Sequence, residues 1–220
     1  MGIPTKGILA PFKNRIGTVV GRRWRAGLWT MSSYQGDVKN PRTEAQEIQR
    51  MRFAAAGRLA SAFVDCLDVT LYYFLRHHPT TQVGEFVKRN LPCITATSLD
   101  SMNVDYSGIT LCDGPLPTVE FNAPNFDLPG QVKVPFNANL DYISASADDK
   151  VFIFVYCPDA GAGVLSGETY RNEGSAKVTV PSMWNGLKVH VWGFVTSDKK
   201  NRKRPNNVST SQYCGSGNIG

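Results

Sequence analysis

Six consecutive apolar residues at 151–156, with the sequence VFIFVY, constrain the fold more than any other stretch of the chain. A strand without a polar position leaves no face suited to water, so we expect it at the centre of a β-structure. Pro158 lies two residues beyond this run and ends the strand, because proline lacks the N–H group that a strand ladder needs.

From Cys93 onward, short β-rich runs alternate with turns rich in Pro, Gly, Asn and Asp. Roughly eight such runs over about 120 residues are typical of an antiparallel sandwich of the immunoglobulin or fibronectin type. We therefore predict strands at 104–112, 118–122, 131–136, 151–156, 163–170, 176–180, 187–196 and 208–213.

A pair of helices is predicted upstream of these strands. Thr43 precedes a stretch of helical periodicity, and Gln46 follows three residues later, which is the pattern of a capping box. The first helix is predicted over 43–68, with an extension to His77 left open, and the second over 81–91. The predicted inward positions are Ile48, Met51, Ala55, Leu59, Phe63 and Leu67 in the first helix, and Val83, Phe86, Val87 and Leu91 in the second.

Residues 7–33 combine β-branched and aromatic residues with regularly placed glycines, a pattern typical of hairpins. The predicted strands are 7–12, 16–24 and 27–33, with turns at 13–15 and 25–27. Glycines at 17, 21 and 27 suit tight turns and close backbone approach. Because so short a sheet builds no core alone, we expect it to pack on the rest of the chain or on a partner.

Together these elements predict an α+β chain in three parts: a basic, glycine-punctuated β-hairpin arm (1–39), a helical segment (40–92) and an antiparallel immunoglobulin-like β-sandwich (93–220). A length of 220 residues suits one large domain or two small ones. The 42% hydrophobic and 19% charged residues are typical of a globular protein rather than a disordered one.

The positive charge is concentrated in two segments. Six basic residues precede the first acidic residue, Asp37, and five more lie between Lys199 and Arg204. These eleven are nearly half of the 24 basic residues, so the rest of the chain carries more acidic than basic groups. Arginines interleaved with tryptophans suit phosphate neutralisation and base stacking. The candidate residues for a protein partner or a nucleic acid are Lys13, Arg15, Arg22, Arg23, Trp24, Arg25, Trp29, Lys199, Lys200, Arg202, Lys203 and Arg204.

Each basic segment also has an ordinary structural interpretation. In the first, the tryptophans pack inward while the arginines face solvent or an acidic partner. Strand alternation places Arg23 on one face and Arg22 with Trp24 on the other, so arginines and tryptophans are not cleanly segregated. The second segment equally suits a solvated hairpin tip or a contact with an acidic partner.

The cysteines and histidines predict neither a metal site nor a disulfide framework. The five cysteines are an odd number at wide spacing without a C-x-x-C pair, and the three histidines lie away from them. We expect free, buried thiols in a reduced protein, and no cofactor.

No catalytic constellation stands out in the sequence. A G-x-S-x-G elbow is absent, and His190 lies between Val189 and Val191 on a predicted strand, where a structural role is favoured. Asp148 and Asp149 fall in a turn and are interpreted as a solvated loop. The A-G-A-G run lacks the Lys and Ser/Thr of a phosphate loop. We therefore expect a protein that is not an enzyme.

The hydropathy pattern predicts a protein without a membrane span. No apolar run approaches the roughly 20 residues that a spanning helix needs. The first residues also lack the apolar segment and small-residue cleavage site of a secretory signal. We therefore expect the protein in the cytoplasm or packaged into a virion.

Four groups of motifs occur in a characteristic order: K-G-I-L-A-P-F with I-G-T-V-V-G, the N-P-R-T-E-A-Q helix start, V-D-Y-S-G-I, and V-P-S-M-W-N-G-L-K-V-H-V-W-G-F-V-T-S-D-K. This order resembles a family of unknown function that is abundant in Bacteroidota and their mobile elements, over nearly the whole chain. Residues 24–27 (WRAG) stand where that family usually has a Trp-Lys-Gly tip, and 121–140 diverges, which leaves the strand order there open. The resemblance implies no catalytic residues.

The N-P-R-T-x-A-Q element after a glycine-punctuated hairpin is also similar to segments of tailed-phage structural proteins. Our first hypothesis is a capsid- or tail-associated virion component that oligomerises through its hairpin and helices, with copies of itself or other virion proteins as partners. One alternative is a nucleic-acid-binding accessory protein that uses the basic arm. Another is a cell-associated sandwich that binds glycan or protein. Trp184 and Trp192 would supply its aromatic platform, although their packing in the core or in a turn is the favoured interpretation.

Overall fold

The computed structural model describes residues 12–23, 28–36, 41–77, 80–99, 101–142, 145–197 and 208–220. In these ranges the helices are α1 (Glu44–Ala62), α2 (Val64–His77) and α3 (Gln82–Asn90). The strands are β1 (Asn14–Ile16), β2 (Val19–Arg23), β3 (Trp29–Ser33), β4 (Ile94–Ser98), β5 (Ser101–Val104), β6 (Glu120–Phe121), β7 (Gln131–Asn137), β8 (Lys150–Cys157), β9 (Ala162–Leu165), β10 (Thr169–Tyr170), β11 (Ser175–Thr179), β12 (Lys188–Thr196) and β13 (Gln212–Asn218).

Strand β8 lies inside the central sheet, as its apolar sequence predicts. The sheet has the order β10-β8-β12-β13, and β9 pairs with the part of the β8 edge that β10 leaves free. Successive side chains of a strand point to opposite faces, and every residue of β8 from Val151 to Cys157 is buried. Both faces of the central sheet are therefore covered by protein.

A second sheet, with the order β11-β7-β6, covers one of these faces. Val132 and Val134 of β7 share a buried core with Val151, Ile153 and Val155 of β8. Exposed and buried positions alternate along β7, as expected for a strand with one covered face. The structure confirms a mixed α/β chain with several antiparallel sheets, while the immunoglobulin type of the sandwich stays a prediction.

The helices cover the opposite face of the central sheet, and Phe63 joins them to it. The predicted first helix is interrupted at this residue, where α1 ends and α2 begins. The buried Phe63 ring packs edge-on against Phe86 of α3, Phe154 of β8 and Trp192 of β12, with ring centroids 5.4, 4.8 and 5.7 Å away. Edge-to-face pairs in this range are favourable beyond the burial of their area. This one ring therefore contacts both a helix and two central strands.

The helix predictions are confirmed in part. Thr43 is the N-cap residue of α1, but its side chain makes no capping hydrogen bond, so the predicted capping box is wrong. Thr81 does cap α3, because its hydroxyl accepts a hydrogen bond from the Gly84 N–H at 2.9 Å. The predicted inward stripe of the first helix is buried from Ala55 onward. Val83, predicted inward, is 43% exposed.

Three strand predictions require correction. The predicted strand 104–112 instead contains the end of β5 and a 3-10 turn at Tyr106–Gly108. The predicted strand 163–170 is divided between β9 and β10, and the last strand is β13 rather than 208–213. The β4–β5 hairpin was absent from the predicted strands because its small and polar residues give a weak β pattern.

Candidate functional site

Strands β1, β2 and β3 form a separate antiparallel sheet, which we call the N-terminal sheet. Its first turn is at 17–18, where Gly17 has φ +58°, and the predicted turn at 13–15 is wrong because pairing already begins at Asn14. A Cβ on Gly21 would lie 2.1 Å from the Phe12 carbonyl oxygen. Glycine is required at this position because the chain at Phe12 lies directly over β2.

One side of the N-terminal sheet, which we call the basic face, carries Arg15 and Arg22. Directly paired residues of an antiparallel sheet share a face, and Arg15 pairs with Val20, two positions before Arg22. The Arg15 guanidinium lies 3.5 Å from the centroid of the Tyr34 ring, and its Nε donates a hydrogen bond to the Gly17 carbonyl at 2.8 Å. Both arginines are exposed, so this face presents positive charge to solvent.

The other side of the sheet, which we call the apolar face, carries Ile16, Val19, Trp29 and Met31. Val19 pairs with Ile16, and the next alternate positions of β2 pair with Met31 and Trp29. The four side chains are exposed by 36% to 57%. Arg23 shares this face, and its guanidinium lies 5.8 Å from the Trp29 ring centroid. The alternation predicted from the sequence thus segregates Arg22 from Arg23 and Trp29.

The described helices and other sheets do not cover the apolar face, although the chain at Phe12 lies over it at Gly21. In the described residues, the substantial contacts of β1, β2 and β3 are with one another, and none of comparable extent joins them to the helices or other sheets. Phe12 and Gly21 are buried in this region and pack against each other. A three-stranded sheet with one apolar face is stable when that face is covered. Alternate apolar positions in the sequence indicated this apolar face. The candidate residues predicted from the sequence, however, were chiefly the basic ones.

Several candidate residues lie outside the described ranges. They are Trp24, Arg25, Lys199, Lys200, Arg202, Lys203 and Arg204. Of the remaining candidates, Lys13 is exposed directly before β1, and Arg15, Arg22, Arg23 and Trp29 all belong to the N-terminal sheet. The sheet thus brings together the described members of the first basic segment and divides them between two faces.

A second surface feature is a groove of about 910 Å³ beside α1, which we call the α1 groove. It lies between α1, the start of α2, strand β5 and the turn that joins β8 to β9. The residues that give it its chemistry are Gly57, Arg58, Asp65, Met102, Val104 and Tyr106. Met102 is 42% exposed, so apolar surface is accessible there. A Cβ on Gly57 would meet no atom within 4 Å, so this helical glycine keeps space open.

Two acidic residues, Asp65 and Asp159, lie at or near the α1 groove. Asp65 lines it, and Asp159 lies in the turn between Pro158 and Gly161, which also line it. Burial raises the pKa of the Tyr106 hydroxyl, and the charge of Asp159 raises it further. The neighbouring Asp105 carboxylate accepts hydrogen bonds from Ser107, which lower its pKa and keep it ionised. The groove therefore combines an apolar lining with Asp65 and Arg58, and has Asp159 near Tyr106.

His190 lies behind Tyr106 in an aromatic cluster. Its ring stacks on Tyr106 with centroids 4.1 Å apart, and its Nδ1 lies 2.8 Å from the Tyr213 hydroxyl. Burial, with a smaller contribution from the positive charge of Lys188, lowers the pKa of His190 to about 4. The imidazole is therefore neutral at pH 7, and its contacts are those of a packing residue.

Trp184 and Trp192 form no exposed platform. Trp184 is 1% exposed and Trp192 is 0% exposed, so the aromatic platform that a glycan-binding function would use is wrong. The interpretation of Asp149 as part of a solvated loop is also wrong. Its side chain is buried beside the guanidinium of Arg171. Asp148 is exposed, as predicted.

Among the described residues, no three His, Cys, Asp or Glu side chains come together as a metal site would require. All five cysteines are free, and Cys66, Cys112 and Cys157 are buried, which confirms the prediction of unpaired thiols. None of the described helices is long and apolar enough to cross a membrane.

Comparison with known proteins gives one match. No curated protein and no solved structure matches the chain. The family described as a family of unknown function, DUF6266, matches residues 11–215, a span that includes the N-terminal sheet, the helices and the central sheet. The chain therefore belongs to the DUF6266 family.

Proposed function

We propose that this chain is a non-enzymatic structural subunit that assembles with further copies of itself through the N-terminal sheet. The observation that carries the proposal is the exposed apolar face of that sheet. Ile16, Val19, Trp29 and Met31 are contiguous on one face and lie off the core. Contiguous exposed apolar patches on soluble proteins commonly mark protein–protein contacts, and covering this one would stabilise the sheet.

The setting we propose is a phage-type particle, with the protein located in a virion or, before assembly, in the cytoplasm. The support for this setting is the likeness of the N-P-R-T-x-A-Q element and its preceding hairpin to segments of tailed-phage structural proteins. Other particle proteins are then further partners. The N-terminal sheet is separate from the central sheet and the layers that cover it. Such a sheet suits assembly, because it can bind another subunit without disturbing the core of its own chain.

Self-association is tested by light scattering during size-exclusion chromatography over a range of protein concentrations. We expect the mean mass to rise with concentration for the native chain and to remain that of a monomer for the double variant Ile16→Asp/Met31→Asp. Leu128→Asp is the matched control, because Leu128 is 54% exposed but lies outside the N-terminal sheet, in the loop between β6 and β7. A native chain that stays monomeric at high concentration would overturn the proposal.

A nucleic-acid-binding function is the second candidate, and the basic face favours it. Arg15 and Arg22 share that face with Tyr34, and Lys13 is exposed nearby. Positive side chains beside an aromatic ring suit phosphate neutralisation and base stacking. Binding of this kind weakens steeply with salt because counterions are released from the phosphates. Contact through the apolar face has no such steep dependence.

The two candidates separate in one titration. Retention of single-stranded DNA and RNA is measured for the native chain and for Arg15→Ala/Arg22→Ala at rising salt concentration. Affinity that falls with salt and is weaker in the variant supports nucleic-acid binding. Retention unchanged in the variant removes that candidate and leaves the assembly proposal standing on its own test.

A further inference from the structure

We infer that the apolar face of one copy docks into the α1 groove of a second copy, an inference that rests on the proposed function and names its contact. The two surfaces are on different parts of the chain, so each copy offers one of each. The face presents Trp29, Met31, Ile16 and Val19, and the groove presents Met102, Val104 and Tyr106. Apolar side chains thus meet apolar walls on both sides.

The apolar patch of the sheet is small. Val19 to Arg23 covers about 14 Å at ~3.4 Å per residue, and three strands are about 10 Å wide. This patch presents two large side chains, Trp29 and Met31, to a groove of about 910 Å³. Gly57 leaves space in the middle of the helix wall, since a Cβ there would meet no atom within 4 Å. The groove thus has room for a protruding side chain.

The charges of the two surfaces favour contact between the apolar face and the α1 groove. Arg23 is the charged residue that β2 adds to the apolar face, and the basic face lies directly behind it. The groove has Asp65 and Arg58 in its lining, and Asp159 lies near Tyr106. Docking therefore brings Arg23 and the basic face toward Asp65 and Asp159, and Arg58 opposes part of this attraction. In water such pairs guide encounter and orientation more than they add affinity.

The same charges disfavour the symmetric alternative, in which two apolar faces pack against each other. A two-fold contact brings each residue of the patch close to the patch of its partner. Each Arg23 would then lie against an apolar patch, and the described residues of that patch include no carboxylate to pair with it. The contact between face and groove has no such conflict.

Contact between different surfaces leads to assemblies rather than to a closed dimer. Each copy offers its sheet to one neighbour and its groove to another, so the contact continues into a ring or an open filament. A patch of this size is smaller than the ~800 Å² per partner of a stable pair. A single contact is therefore weak, and association depends on protein concentration and on the number of contacts made.

The variant that tests the groove is Gly57→Leu in the full chain. Leucine suits a helix better than glycine, and a Cβ at Gly57 would meet no atom within 4 Å. The leucine fills the groove, so we expect the dissociation constant of self-association, measured by sedimentation velocity, to rise at least about tenfold. Gly167→Leu is the control, since Gly167 also has open space at its Cβ but lies outside the groove.

Disulfide cross-linking tests the pairing directly. One batch of protein carries Met31→Cys and a second carries Met102→Cys, and the two are mixed under mild oxidation. We expect cross-linked dimers from the mixture and not from either batch alone, or from native protein treated in the same way. Cross-linking within the Met31→Cys batch alone would show two apolar faces in contact and would overturn the inference.

The outcomes separate this inference from the proposed function. If native protein associates, Ile16→Asp/Met31→Asp does not and Gly57→Leu associates as native protein does, the groove is wrong while assembly through the sheet stands. If Gly57→Leu and the sheet variant both stay monomeric while Gly167→Leu associates, the inference is supported. A native chain that stays monomeric would overturn both the inference and the proposed function.

Discussion

The guanidinium of Arg171 and the carboxylate of Asp149 form an ion pair inside the protein. Arg171 Nε lies 3.4 Å from Asp149 Oδ2, and the two side chains are 0% and 1% exposed. The guanidinium also donates hydrogen bonds to the carbonyls of Pro117 and Ala138 at 2.6 and 2.9 Å. The Asp149 carboxylate accepts a hydrogen bond from the Ser146 N–H at 2.8 Å. One buried cation thus ties together loops that are far apart in the sequence.

Replacing this cation should destabilise the fold strongly. Arg171→Met leaves the Asp149 charge and two carbonyl groups buried without their partner, so we expect the free energy of unfolding to fall by about 3–5 kcal/mol. Urea denaturation followed by circular dichroism measures the change. Glu168→Gln is the control, because it removes the ion pair with Lys150 in which Glu168 is 53% exposed, and exposed pairs contribute about 0–1 kcal/mol. Similar losses in the two variants would contradict the argument.

His190 should make the protein less stable in mild acid. Burial lowers its pKa to about 4 in the folded chain, against about 6.5 in an unfolded chain. Between these values the unfolded chain takes up the proton and the folded chain does not. Stability is therefore complete above about pH 6.5 and is lost as the pH falls toward 4, by up to about 3 kcal/mol.

The comparison that isolates this group is between native protein and His190→Gln. Urea denaturation at pH 7, 5.5 and 4.5 gives the free energy of unfolding of each, and carboxylates that titrate in both proteins cancel in the difference. We expect the variant to be less stable than native protein at pH 7 and to approach it as the pH falls. A difference that does not change with pH would rule out a proton-linked role for His190.

The local sequence pattern correctly predicted the elements in which the spacing of apolar residues itself indicates which positions are buried. The apolar run of β8 is buried, and the helical stripe from Ala55 onward faces the core, as predicted. The pattern failed where the burial of a residue depends on a partner that is distant in the sequence. Asp149 resembled a solvated turn residue because Arg171, which buries it, lies in another loop. Thr43 occupies the predicted cap position, but its side chain makes no capping hydrogen bond.

In the candidate site, too, local pattern predicted some features, and others depend on how distant elements pack together. Alternation along β2 correctly separated Arg22 from Arg23, and the wrong turn at 13–15 hid the pairing of Ile16 with Val19 that completes the apolar face. The α1 groove could not be predicted, because its walls come from α1, β5 and the β8–β9 turn. Such a groove exists only after these elements pack together.

The buried thiols should resist alkylation in the folded protein. Burial raises the pKa of Cys66 and of Cys112, and the nucleophile in alkylation is the thiolate. Cys93 is only half-buried. We expect iodoacetamide at pH 8 to label Cys93 before Cys66 and Cys112, as measured by peptide mass spectrometry. All five should label in guanidinium chloride. Equal labelling of Cys66 and Cys93 in native protein would contradict the described packing.

Gly193 of β12 should tolerate no side chain, because Phe121 of β6 lies directly over it. A Cβ at this position would be 2.4 Å from the Phe121 ring, so Gly193→Ala forces two sheets apart or moves the ring. Overpacking of this kind costs about 1–3 kcal/mol, measurable by urea denaturation. Gly167→Ala, with no atom within 4 Å of its Cβ, should leave stability nearly unchanged. Adding Phe121→Leu to Gly193→Ala should cost less than the two single changes predict, because the smaller side chain relieves the same clash; simple additivity would show that Phe121 is not the obstacle.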